Sequence, residues 1–101
     1  AIELYEMAAK RGNANAQYNL GIFYHQGIRG LTQSDKRAIE YYTLAANQGH
    51  PTAQYNLGSM YARGDGIETS YSKVRELWTK AAAQGYKNAI NGLKQLDELG
   101  L

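Results

Sequence analysis

The chain has 101 residues, no cysteine, and a net charge of +2 with both signs mixed along its length. This excludes disulfides and thiolate metal sites, gives little electrostatic reason to expect nucleic acid or an anionic membrane as partner, and contains no apolar run near the roughly 18 residues of a membrane span. The apolar share of 44% rests heavily on alanine and nine tyrosines, which suits thin layers between stacked helices better than one large core.

Residues 1 to 12, Ala-Ile-Glu-Leu-Tyr-Glu-Met-Ala-Ala-Lys-Arg-Gly, match residues 38 to 49, Ala-Ile-Glu-Tyr-Tyr-Thr-Leu-Ala-Ala-Asn-Gln-Gly, and are expected to form the second helix of a truncated unit. The segment Asn15-Ala-Gln-Tyr-Asn-Leu-Gly21 returns as Thr52-Ala-Gln-Tyr-Asn-Leu-Gly58, a period in the range of helix-pair solenoids. A first full unit spans 13–49. Its helix A is predicted over about residues 15 to 26, with Ala16, Leu20, Phe23 and Tyr24 on the buried stripe, and Gly27 as its stop. Ser34 is the expected N-cap of helix B, which runs to about Gln48. A second full unit, 50–85, repeats the scheme: Pro51 in the first turn, helix A to Arg63, Gly64 as stop, Ser70 as cap, and helix B to Gln84. Residues 86–101 form a partial or capping unit with a helix over about 88 to 99. There Lys94 and Asp97 replace the earlier glycine and tyrosine. The predicted fold is all-α, a superhelix of helical hairpins.

Gly21 and Gly58 fall in mid-helix, where glycine costs about 1 kcal/mol relative to alanine, so a close helix crossing is expected there. Ala45, Ala46, Ala81 and Ala82 are the expected opposing surface, with Tyr24 and Tyr61 against Tyr42 and Trp78. The loop glycines, including Gly64-Asp65-Gly66, lack the spacing and flanking elements of a phosphate-binding loop and are assigned to tight turns.

The second unit, through Ala53, Leu57, Gly58, Tyr61, Gly64, Gly66, Ile67, Lys73, Trp78, Ala81, Ala82, Gln84 and Gly85, resembles the Sel1-like repeats, a family related to the tetratricopeptide repeats. The first unit matches the same pattern from Ala16, Leu20 and Gly21 to Ala45, Ala46, Gln48 and Gly49. The resemblance implies a right-handed superhelix that acts as an adaptor in protein complexes and signalling. Some bacterial relatives are exported and rich in disulfides, a framework that this chain lacks.

Catalysis needs an acid, a base or a nucleophile placed together, and the two histidines, His25 and His50, fall in different settings without a recognisable acidic constellation. They are also two ligands short of a metal site. No enzyme activity, cofactor or metal is therefore expected. Positions carried over from tetratricopeptide arrays place Asn15, Tyr18, Asn19, Ile22, His25 and Gln26 of the first unit on a concave groove. Thr52, Tyr55, Asn56, Ser59 and Arg63 follow from the second, and Asn88, Asn91 and Gln95 from the last. The repeated Tyr-Asn pairs form an aromatic and amide ladder suited to an extended peptide. The expected partner is a protein or peptide, not nucleic acid or membrane. A structural spacer that self-associates through its truncated N-terminal face is the alternative.

Overall fold

A computed structural model describes residues 2–101. Its helices are α1 (Ile2–Lys10), α2 (Ala14–Gln26), α3 (Asp35–Asn47), α4 (Pro51–Arg63), α5 (Tyr71–Ala83) and α6 (Lys87–Leu99). Each packs chiefly on its neighbours in the chain, with α2 on α3 and α4 on α5 forming the two most extensive pairings. The result is an elongated stack of hairpins, 43 × 25 × 16 Å. The start of the first predicted helix at Ala1 lies outside the described residues.

Local chemistry sets the helix limits. Ser34 and Ser70 cap α3 and α5 by accepting from the backbone N–H of Arg37 and Lys73. The caps of α2 and α4 are Asn13 and His50, which accept from Ala16 and Ala53, so these helices begin slightly before the predicted positions. Gly27 and Gly64 end them in the left-handed region, at φ 66° and 72°, where a residue with a Cβ is strained.

The core is divided into layers, as a solenoid requires. Ala9, Ala16, Leu20 and Phe23 form one. Ala38, Tyr42, Ala45, Ala46, Ala53, Leu57 and Met60 form the next, followed by Val74, Trp78, Ala81, Ala89 and Leu96. The mid-helix glycines do admit close approach, but of rings and not of the alanines expected there. A Cβ on Gly21 would lie 2.5 Å from Cδ1 of Tyr42, and one on Gly58 would lie 2.5 Å from Nε1 of Trp78. A bare helix face lets a flat ring lie against the backbone. Tyr24 accordingly stacks on Tyr41, with centroids 5.7 Å apart, and not on Tyr42. In α6 Lys94 is exposed, and Gly92 instead offers a second notch to Trp78, from the opposite side to Gly58.

Two buried glutamines tie the layers together. Gln17 donates to the carbonyl of Ala9 at 3.1 Å and accepts from Gln48 at 2.8 Å. Gln54 repeats the arrangement, donating to Ala46 at 3.2 Å and accepting from Gln84 at 3.3 Å. Both are almost wholly buried, at 4% and 3% exposure, where an unmet amide is costly. Gln54→Leu keeps the volume but strands the Gln84 amide from this partner. Urea unfolding should show a loss of about 1 to 3 kcal/mol, whereas Gln95→Leu on the exposed face of α6 should stay within about 0.5 kcal/mol.

Candidate functional site: a groove between adjacent A helices

The groove lies between α2 and α4 and encloses about 340 Å³. Tyr18, Ile22, His25 and Gln26 line it from α2, Tyr42 from α3, and Tyr55, Asn56, Ser59, Met60 and Arg63 from α4. Helical periodicity accounts for this: the residues recur at spacings of three and four on one stripe of each helix. Tyr42 and Met60, which belong to the core, also reach the groove. Sequence reasoning missed Met60 and treated Tyr42 as packing alone; their apolar character pointed to the core and nothing in it marked the second role.

The other sequence-derived positions are placed differently. Asn15 and Asn19 line a separate hollow of about 430 Å³ with Leu4, Tyr5, Ala8, Asn13 and Ala16. Thr52 lies in the first turn of α4 and lines neither hollow, and Asn88, Asn91 and Gln95 are exposed on α6. The Tyr-Asn ladder therefore does not run through one groove: Asn56 faces back onto the preceding unit, and for Asn19 the preceding element is α1.

The rings of the groove are held from behind. Tyr18 stacks on His50 with centroids 4.7 Å apart, and Tyr55 stacks on Trp78 at 5.3 Å and leans on Tyr86 at 5.4 Å. Burial raises the Tyr18 phenol above its ordinary pKa and pushes that of Tyr42 up to about 12, against an opposing hydrogen bond from Asn56 to each. Both therefore stay neutral hydroxyls across the physiological range. Asn56 thus stands beside both phenols as well as forming a wall of the groove.

Two of the lining residues, His25 and Arg63, each have a carboxylate beside them. His25 Nδ1 lies 3.3 Å from Asp35, a carboxylate which the sequence reading did not associate with it because the loop between α2 and α3 separates the two. Their alignment is not that of a hydrogen bond, and this buried nitrogen has no other partner among the described residues. Gln33 holds Asp35 in place with a 2.8 Å bond. Arg63 pairs with Asp65 through Nε. Ser59 of α4 donates to the carbonyl of Tyr55. The groove thus offers amides, phenols, an imidazole and a guanidinium together with the apolar Ile22 and Met60, with no carboxylate among its lining residues. That set suits holding a polar chain more than transforming it. Among the described residues no group of three or more His, Asp or Glu gathers as a metal site, and no helix is long and apolar enough to cross a membrane.

The description Sel1 repeat matches residues 1–13, 14–50 and 51–86, and the chain belongs to this family of repeat proteins. The fold is similar to the crystal structure of a Sel1 repeat protein from Oxalobacter formigenes, with TM-score 0.86 and 34% identity over 96% of this chain and 72% of that one. It is also similar to a protective antigen of uropathogenic Escherichia coli with an SLR fold, with TM-score 0.95 and 36% identity, covering 99% of this chain and 21% of the antigen. A curated relative, the ERAD-associated E3 ubiquitin-protein ligase component HRD3A of Arabidopsis thaliana, is 44% identical over 36 residues. That match covers 36% of this chain and 5% of the plant protein. The chain is a Sel1-type scaffold of the general kind used in protein interactions, a fold that is generally non-catalytic.

Proposed function

We propose that this chain is a non-enzymatic adaptor that binds a protein or peptide in the groove between α2 and α4. The observation that carries the reading is that two successive A helices contribute side chains to one hollow, with hydrogen-bonding groups beside the apolar Ile22 and Met60. An extended peptide offers backbone amides and carbonyls at the spacing such side chains can meet. The plant relative's place as a ligase component is in keeping with a role in assembly. Nucleic acid, membrane and cofactor have no part in this reading.

Tyr55 is a poor probe of binding, since its ring braces Trp78, and so is Asn56, which adjoins the packed phenols of Tyr18 and Tyr42. Gln26 and Arg63 are exposed and better suited. For a partner captured from the source organism and then purified, Gln26→Ala with Arg63→Ala should weaken binding about tenfold or more, corresponding to roughly 1.4 kcal/mol. Leu44→Ser with Lys80→Ala, on exposed positions of α3 and α5, should leave it unchanged. The reverse pattern would remove the groove assignment.

A spacer that associates with itself is a second reading. It is favoured by Leu4 and Met7, exposed at 68% and 51% beside the hollow at α1. Sedimentation over a concentration range separates the two: a monomer throughout leaves self-association without support.

A further inference from the structure

His50 joins the two full units. It caps α4, with Nδ1 accepting from the backbone N–H of Ala53 at 3.1 Å, while Nε2 lies 3.0 Å from Oδ1 of Asn15 on α2. Its ring stacks on Tyr18 of the same helix. An accepting Nδ1 requires the ring proton to sit on Nε2, and Nε2–H then donates to Asn15, so both bonds need the one neutral tautomer. Protonation would set Nδ1–H against the Ala53 N–H and place a cation at the positive end of a helix. The ring cannot turn away without giving up Asn15 and Tyr18. We propose that His50 is a proton-sensitive pin that fastens α4 to α2 when neutral and loosens the junction between the two full units when protonated.

Among the described residues no charged group pairs with the protonated ring. From α2 the ring meets the neutral Asn15 and the Tyr18 phenol, which burial keeps protonated. The residues leading out of α3, Asn47 to Gly49, are uncharged, and among the described residues no carboxylate pairs with His50. Burial holds the His50 pKa below its ordinary value, against a smaller opposing backbone hydrogen bond. The sign follows: the unfolded chain takes up the proton at about pH 6.5 and the folded one only lower, so this contribution is complete above about 6.5 and lost as pH falls through the folded value.

The test is urea unfolding between about pH 7.5 and 5, above the ordinary carboxylate range near 4, with His50→Asn and His25→Gln beside the parent. The folding equilibrium of the parent should weaken with acid, by no more than about tenfold per pH unit for a single proton. Asparagine, the cap that α2 already uses at Asn13, should flatten that response, while His25→Gln should keep it. Nitrogen NMR of the parent should show His50 as the Nε2–H tautomer, titrating below about 6.5. An undiminished acid response in His50→Asn, its loss in His25→Gln, the other tautomer, or titration at or above 6.5 would each overturn the proposal. The NMR arm decides the matter even if a variant fails to fold.

Discussion

Trp78→Ala is expected to cost about 3 to 5 kcal/mol and to unfold much of the array, because removal of a large buried aromatic leaves a cavity that its surroundings must collapse to fill. Here they have little with which to fill it. Trp78 is held between Gly58 of α4 and Gly92 of α6, two positions without side chains, and it stacks on Tyr55. Its indole N–H also donates to the carbonyl of Tyr55 at 3.0 Å. One ring thus secures three successive helices. Each unit in a solenoid depends on its neighbours, so the loss should spread beyond α5, and a domain of this size commonly has only about 5 to 15 kcal/mol to lose. Circular dichroism during urea unfolding would check this, and a variant as stable as its parent would show that the ring is not the bolt described.

Gly58→Ala should destabilise the protein by about 1 to 3 kcal/mol, although alanine is the better helix former by about 1 kcal/mol. The added methyl would stand 2.5 Å from Nε1 and 2.6 Å from Cδ1 of Trp78. The indole cannot retreat easily: its N–H is bonded to Tyr55, and Gly92 presses a helix backbone against its far edge. Overpacking therefore outweighs the propensity gain. A rise in the urea midpoint of Gly58→Ala would contradict this account of the crossing.

These two residues also show how far the sequence could be read. Repetition and the three-and-four spacing of Ala16, Leu20, Phe23 and Tyr24 disclosed the helices, because amphipathic periodicity is a local property. A glycine in mid-helix announced a close approach but not its occupant. Which ring enters the notch depends on how far two helices slide past each other, and Gly92 stood out in no alignment of the units. Gln17 and Gln54 were equally hard to place. An amide in a helix reads as surface until its partners are known, and those partners sit on the ends of other helices. His50 escaped notice as a cap because Ser, Thr, Asp and Asn usually fill that role. Within the groove, the stripe from Tyr18 to Gln26 and from Tyr55 to Arg63 was legible for the same reason as the helices. Asn19 was not, since its orientation depends on α1, and Tyr55, assigned from the sequence to the groove alone, also braces Trp78.

The central claim, that the groove between α2 and α4 holds the partner, is tested most directly by amide and side-chain NMR of this chain titrated with a purified partner or its binding peptide. Shifts should concentrate on Ile22, Gln26, Ser59 and Arg63 and leave Leu44, Glu76 and Lys80 on α3 and α5 undisturbed. Shifts centred on α3 and α5, with the groove residues unmoved at saturation, would contradict it.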